Sequence, residues 1–336
     1  MAKVFSRNKL LFLIFVTIVV ALASCRGDRT PLLPNVTGRA GEVVLVMNAP
    51  IWETEAGKSI GLVLNDEHPA LPQAEPMFNV VRIAHAAFSN IFKTHRNIIV
   101  VNISDQFTDT RMNVRRNVWA KPQIVMEINA VDNDAFQKFV AGQGERIIEE
   151  LLDAERVRIV EYNLQYENRN LRNQLIESLN VSIVFPPGYE LNIDTTDFAW
   201  VGFSPPTQDV IQGVFVYQYD YTDKETFTPE YLIEKRNQFL RSYVQGDRPN
   251  SWMSTEMQAS PQFSQFMDGS RYVARLAGLW RVENDFMGGP FISHTTLDEE
   301  RNRVITVEGF VYAPGVKKRN LLRQVEAIIS TLEIVE

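Results

Sequence analysis

The strongest periodic signal in the chain lies between Phe136 and Leu152. Phe136, Phe139, Val140, Ile147, Ile148, Leu151 and Leu152 recur at steps of three and four, with charged residues between them. That spacing lays one apolar stripe along a helix. Asp132 and Asn133 precede it as candidate caps, and Gly142 and Gly144 predict a kink or break inside it. A second helical stripe uses Val157, Val160, Leu164, Leu171, Leu175 and Leu179.

Elsewhere short apolar runs bounded by Gly, Pro and Asn predict strands. In the first half these are 42–48 ("EVVLVMN"), 78–84, 97–103 ("NIIVVNI") and 123–129 ("QIVMEIN"). A helix over 52–64, a Pro-punctuated loop over 68–76 and a short helix near 86–93 lie between them. The second half predicts strands at 181–185, 198–203, 210–219, 272–282, 291–297 and 303–312. Helices are expected over 228–244, where Thr228-Pro229-Glu230 suits a helix start, and over 317–331. Both halves mix strands and helices with hairpin-like connections. The expectation is an α+β fold of two domains, 42–179 and 180–336, each a mainly antiparallel sheet with packed helices.

The N-terminus follows another logic. Lys3, Arg7 and Lys9 precede an apolar run from Leu10 to Ala23. The run is short of the roughly 20 residues a bilayer span needs, and the three-part pattern is that of a secretory signal peptide over 1–24. Leu22-Ala23-Ser24-Cys25 resembles the lipobox of bacterial lipoproteins, and Cys25 is the single cysteine of the chain. The resemblance implies a lipidated Cys25 after cleavage, with several acyl chains (palmitate among them) holding the protein to a membrane. Residues 25–41, rich in Arg, Gly and Pro, are expected as a tether. Arg26 stands where an Asp would resemble an inner-membrane retention signal, so the expected address is the outer membrane of a bacterial envelope.

Two stretches of the second half, "LAGLWRVENDFMGGPFISH" (Leu276 to His294) and "RNRVITVEGFVYAPGVKKRNLLRQVEAI" (Arg301 to Ile328), resemble a family of bacterial lipoproteins known as the domain of unknown function 4837. "LPQAEPMFNV" and "HRNI" in the first half resemble it as well. That resemblance implies an envelope location and brings no activity, ligand or site residue. Residues 181–336 alone are similar in layout to PsbP-like and DcrB-like domains, which are accessory or assembly modules.

Charge narrows the partners. The formal net charge is -7, and the basic runs at Arg111–Arg116 and Lys317–Arg319 are short. An acidic body has no general attraction for nucleic acid, so no nucleic-acid partner is expected. Composition, at 45% hydrophobic with 20 Phe, is ample for a large core without disulfides.

Searches for chemistry return little. His68, His85, His95 and His294 form no ligand-spaced pair, so no metal or other cofactor is expected. No G-x-S-x-G elbow or phosphate loop is present. The best site candidate is the segment carrying Arg275, Trp280, Arg281, Glu283, Asn284, Asp285 and Phe286 beside Gly288 and Gly289. Met287–Pro290 is expected as its hairpin loop, with the glycines at positive φ. Glu283 and Asp285 lie two apart, so on a strand they would share a face, as paired carboxylates of a glycan hydrolase could. The plainer reading pairs them with Arg275 and Arg281. Tyr217, Tyr219 and Tyr221 alternate along a strand, either as an ordinary sheet face or as a sugar-stacking platform. The expectation is a non-enzymatic envelope lipoprotein that binds a protein partner or supports envelope assembly. The alternative is a glycan-binding protein or hydrolase using the Glu283/Asp285 hairpin.

Overall fold

The computed structural model describes residues 32–335. The signal segment, Cys25 and its immediate surroundings lie outside them.

The first domain is built on five strands: β1 (Glu42–Val46), β2 (Asn79–Ile83), β3 (Asn97–Ile103), β4 (Arg111–Arg116) and β5 (Ile124–Ala130), in the order β2-β1-β3-β5-β4. The β1/β2, β1/β3 and β3/β5 pairings are parallel, and only β4 runs antiparallel to its neighbour. This sheet is therefore mainly parallel, unlike the expectation. The reason is the helix α1 (Glu55–Asn65) between β1 and β2, which lets the chain cross over and return in the same direction. The Thr54 hydroxyl caps α1 by accepting from Gly57 N–H. β4 is the short basic run Arg111–Arg116. Its alternating half-buried and exposed residues make it a polar edge strand.

Helix α2 (Asn133–Gln165) starts where Asp132 accepts from Ala135 N–H at 2.7 Å, as expected. It then runs 33 residues through Gly142 and Gly144 without a break. Gly144 marks close packing instead: a Cβ there would lie 2.9 Å from Val63 of α1. Both helices cover one sheet face, where Ile60, Leu64, Phe136, Val140, Ile147 and Leu151 meet Leu45, Ile99 and Met126. The opposite face carries Val44, Val46, Ile98 and Val125 under Phe88, Phe92 and Trp119.

The break falls at Tyr166, before helix α3 (Arg169–Leu179), which Asn168 caps. Leu171, Leu175 and Leu179 pack into the core of the second half. The junction between the domains therefore lies near 166–168, earlier than the expected 179–180. The apolar stripe had joined two helices that belong to different cores. Val157 and Leu164, counted in that stripe, are exposed.

The second domain begins with β6 (Val181–Ser182), which pairs with β15 (Glu333–Ile334). Its main sheet comprises β7 (Glu190–Asp194), β8 (Phe198–Phe203), β9 (Ile211–Asp220), β10 (Met253–Thr255), β11 (Gln262–Asp268), β12 (Arg271–Val282), β13 (Gly288–Asp298) and β14 (Arg303–Tyr312). The order is β10-β12-β13-β14-β9-β8-β7, with β11 also on β12, and every pairing is antiparallel. Helix α4 (Pro229–Tyr243) covers one face through Leu232 and Leu240, against Phe198, Phe215, Leu276 and Phe291. Helix α5 (Arg319–Ile329) covers the other through Leu322, Val325, Ile328 and Ile329, beside α3. The chain as a whole is α+β with mainly antiparallel strands, as expected.

The two domains meet where α5 faces α2 and the segment Glu75–Phe78. Glu75 caps α5 from the first domain, accepting from Lys318 N–H at 2.6 Å and Arg319 N–H at 3.3 Å. Arg319 donates to Pro76 O and Arg323 to Met77 O, and the Arg323 guanidinium lies 4.7 Å above the Phe78 ring. Asn320 donates to Ala40 O at 3.2 Å. The chain upstream of β1 is also pinned: Lys121 donates to Pro34 O, Val36 to Lys121 O, and Arg96 to Thr37 O. The stretch expected as free tether thus becomes part of the body by Pro34. Among the described residues no helix is long and apolar enough to cross a membrane.

Candidate binding site

The β12–β13 hairpin does not gather the residues expected there. Arg275 lies far along β12, opposite His294, and donates to Glu326 of α5 at 3.2 Å. Trp280 is buried, its indole N–H donating to Val311 O at 3.3 Å and its ring edge-on to Phe310. It is a core residue. Gly288 and Gly289 are strand residues and not the loop. A Cβ on Gly289 would lie 2.0 Å from Val311 O, and one on Gly288 would lie 2.9 Å from Trp280 O. These glycines answer to close packing, while the left-handed turn position is taken by Asn284, at φ 62.

The remaining hairpin residues sit at the surface, each with its own partner. Glu283 accepts from the Ser254 hydroxyl at 2.6 Å and lies 3.4 Å from Arg281. Arg281 also faces Glu256, at 3.6 Å. Asp285 faces Arg248 at 3.4 Å, and Asn284 donates to Asn250 O at 2.8 Å. The two carboxylates are thus turned to different partners. The ion pairing expected on the plainer reading holds for Arg281 and Glu283, whereas Arg275 pairs elsewhere. Phe286 projects from the tip, 92% exposed, with Arg248 over its ring.

The tyrosines of β9 split in the same way. Tyr217 and Tyr219 pack under α4 against Phe239, at 4.8 and 6.2 Å between ring centroids. Burial raises both hydroxyls well above the ordinary tyrosine range. Tyr217 is a core residue and Tyr219 is half-buried beside it, so neither presents an open sugar-stacking face, while Tyr221, just past the end of β9, lies against Phe227.

Charge and unpartnered donors concentrate instead at the seam between the domains. Arg158, Arg319 and Arg323 are buried there, with Arg96 at 15% side-chain exposure. Of the two buried carboxylates there, only one pairs with arginine side chains. Glu155 takes Arg96 at 2.9 Å, Arg158 at 2.9 Å and Asn97 at 2.7 Å, and Glu75 is spent on the backbone of α5. Burial lowers the Arg158 and Arg323 guanidinium pKa values to about 10. Several donors find no acceptor among the described residues: Arg96 Nε, Asn163 Nδ2, and Arg323 Nε and Nη1. A buried donor left unpaired costs about 1–3 kcal/mol, so native structures keep few of them without a reason.

Two hollows open on this seam. One, of about 490 Å³, is lined by His68, Glu149, Arg156, Arg275, Arg323 and Glu326 among others. Burial, with help from Arg323, lowers His68 to about 4. Burial also brings His294, behind Arg275, to about 4. For Glu326 burial acts upward, but Arg275 and the two histidines outweigh it and hold the carboxyl below its ordinary value. The second hollow, of about 410 Å³, lies between α2, the Pro186-Pro187 turn and α5. Tyr162, Tyr189 and Phe203 provide its aromatic surface, and Arg96, Arg158, Asn163, Gln212 and Gln324 its polar lining. Tyr189 and Phe203 are stacked at 5.3 Å.

No single segment marks this seam. Arg96, Asn163 and the Pro186-Pro187 turn come from three distant places in the sequence. The one local signal was the buried-polar pattern: Arg158, Asn163 and Glu155 stand on the inward side of a helix whose charged residues otherwise face water.

Residues 167–331 match the family described as domain of unknown function DUF4837, and residues 36–163 match a second, DUF8532. The first-half stretches "LPQAEPMFNV" and "HRNI" fall within the second of these. The boundary between the two matches coincides with the break after α2. No curated protein matches the chain. Among solved structures, the Saccharomyces cerevisiae Ran-binding protein Mog1p is similar at 7% identity and a TM-score of 0.33, over 47% of this chain and 91% of its own. LpqN of Mycobacterium tuberculosis, described as involved in cell envelope biogenesis, is similar at 10% identity and a TM-score of 0.28, over 46% of this chain and 83% of its own.

Proposed function

We propose that this chain, a DUF8532 domain followed by a DUF4837 domain, is a lipid-anchored protein of the bacterial cell envelope that works by binding. Its anchor is Cys25, and its address the outer membrane. The N-terminal sequence supports the address: a basic start, an apolar run too short to span, and Leu-Ala-Ser-Cys at its end.

The observation that supports binding is the seam. Two domains are joined by Glu75, Arg319 and Arg323, and that junction keeps buried guanidinium and amide donors without acceptors. Two hollows of about 490 and 410 Å³ open beside it, lined by arginines and aromatic side chains, and their size and lining suit a small ligand or a partner's side chains. The hairpin hydrolase reading has no comparable support, because Glu283 and Asp285 are turned to Ser254, Arg281 and Arg248.

Two measurements test this. Mass spectrometry of the mature N-terminus should find acyl chains on Cys25, and Cys25→Ala should leave the precursor uncut and unacylated. In-cell cross-linking of the tagged, lipidated protein should recover one dominant envelope partner or, failing that, leave a small ligand as the occupant. An acylated Cys25→Ala protein would end the address reading.

A further inference from the structure

We propose that β11 pairs edge to edge with β11 of a second copy of this chain, joining two eight-stranded sheets across a two-fold axis at Gln265.

An edge strand offers a row of unpaired backbone N–H and C=O groups, and native sheets guard theirs with charge, shortness, bulges or cover. The other edges here are guarded. β4 carries Arg111, Arg115 and Arg116, all exposed. β2 has five residues and carries the exposed Arg82. β7 has acids at both ends and a bulge between Leu191 and Ile193. β10 is three buried residues, and its Thr255 N–H donates to Asn237 of α4 at 2.9 Å.

β11 has none of these devices. Its register with β12 runs unbroken over seven residues, from Gln262 opposite Ala277 to Asp268 opposite Arg271. It contains no proline and no basic residue, and its one charge, Asp268, is paired with Arg271. Among the described residues its backbone bonds to β12 alone, so every second pair of N–H and C=O groups points outward. Six of the seven residues are exposed, with Phe266 at 40% and Met267 at 59%.

The order of residues in β11 selects the occupant. In a two-fold antiparallel pair, residues equally far from the axis stand opposite each other and share a sheet face. With the axis at Gln265, Phe263 faces Met267 of the second copy, and the symmetry makes that contact twice. Ser264 faces Phe266, Gln262 faces Asp268, and the two Phe266 rings become diagonal neighbours, close enough for aromatic side chains to touch. No like charges meet. With the axis at Ser264, Phe263 would face Gln265 and Met267 would face Pro261. With the axis at Phe266, Met267 would face Gln265 and Phe263 would face Gly269. Only the register centred on Gln265 sets apolar against apolar along the whole strand. A foreign strand would have to bring this pattern, and a second copy already has it.

The strand is also held ready. Phe263 packs on the core under α4, Gln265 Oε1 accepts from the Tyr272 hydroxyl at 2.8 Å, and Phe266 stands edge-on to His294 at 5.6 Å. A pleated strand with its side chains already placed loses little freedom on pairing.

Sedimentation equilibrium of the full chain in density-matched non-ionic detergent should show a reversible monomer–dimer equilibrium. Met267→Lys removes an apolar contact twice per dimer and should raise the dissociation constant at least about tenfold, a factor worth about 1.4 kcal/mol. Gln265→Lys and Gln265→Glu each set like charges opposite at the axis, and each should weaken the dimer. Mixed in equal amounts, these two forms should yield heterodimer above the statistical proportion by native mass spectrometry. Gln262 lies opposite Asp268, so Gln262→Lys should leave the dimer intact. All three positions are exposed, and thermal midpoints should stay at the parent value. A monomer at every concentration overturns the proposal. So does a dimer that Met267→Lys leaves unchanged, or no preference for heterodimer between the two Gln265 forms. None of these results touches Cys25 acylation or the seam between the domains, so the proposal can fail while the binding reading stands.

Discussion

Arg236 and Glu308 form a two-pronged ion pair in the centre of the second domain. Arg236 Nε and Nη2 each donate to one carboxylate oxygen at 2.7 Å, and the pair is 1% and 0% exposed. A third donor, Nη1, reaches Thr255 Oγ1 at 2.9 Å, and the guanidinium lies 3.8 Å above the Phe291 ring. The pair links α4 to β14 through the middle of the sheet. Removing one member strands the other charge in apolar surroundings, which costs about 3–5 kcal/mol. Glu308→Leu and Arg236→Met should each lower the urea midpoint steeply. The double variant should recover most of that loss, and a double-mutant cycle by chemical denaturation measures the difference.

Acid should weaken the protein before ordinary carboxylates titrate. His68 and His294 are both depressed to about 4 by burial, against about 6.5 in an unfolded chain. Between those values the unfolded state binds more protons, so stability is fully present above pH 6.5 and falls as pH drops towards 4. Each histidine contributes at most about 3 kcal/mol to that loss. The Glu326 carboxyl, held below its ordinary value, adds a loss of the same sign at lower pH. Denaturant midpoints between pH 7.5 and 4.5 should fall, and His294→Gln should flatten the curve.

The domain junction should depend on a cap supplied across it. Glu75→Ala leaves Lys318 and Arg319 N–H without their acceptor and Arg319 without its nearby charge. The loss should be about 1–2 kcal/mol, the size of an N-cap deletion. It should show as a second, earlier unfolding transition and as new proteolytic cuts near residues 166–168. A single unchanged transition would mean that α5 holds without Glu75.

Gly289→Ala should be among the most damaging small substitutions. The added carbon would meet Val311 O, a backbone atom of the neighbouring ladder, and Trp280 Nε1 at 3.1 Å. Overpacking of this kind costs about 1–3 kcal/mol or more, because neither neighbour can rotate away. Glu283→Gln, a few residues off, breaks only half-exposed surface pairs, and should shift stability by less than about 1 kcal/mol. Thermal melts of the two variants should differ plainly.

The contrast between these two positions shows what the sequence could convey. Gly288 and Gly289 beside Glu283 and Asp285 read as a loop with chemistry, because glycine signals a turn as readily as it signals close packing. Only the neighbouring strand β14 decides between them. Trp280 and Arg275 were drawn into the same group by nearness in sequence, although alternate strand positions face opposite sides. The stripe from Phe136 to Leu152 was legible because a helix reports its own buried face. The end of α2 was not, since Leu164, which is exposed, and Leu171, which packs into the second core, continue one period across Tyr166. The edge strand β4 does alternate, with Met112 and Val114 against the core, but its three arginines made it read as a basic surface. The parallel order of the first sheet depended on which strands the α1 crossover brought together. The seam site was hidden for the most basic reason: its donors are far apart in the chain, and their lack of acceptors exists only in three dimensions.

Asn320 of α5 holds Ala40, two residues before β1. A pull from the N-terminal side reaches Pro34, Val36 and Thr37 first, which Lys121, Thr94 and Arg96 of the first domain hold, and then Ala40, which leads to α5 and its Glu75 cap. A load applied from the N-terminal side is therefore taken up first by the first domain, beside the starts of β3 and β5, and only then by the junction with α5.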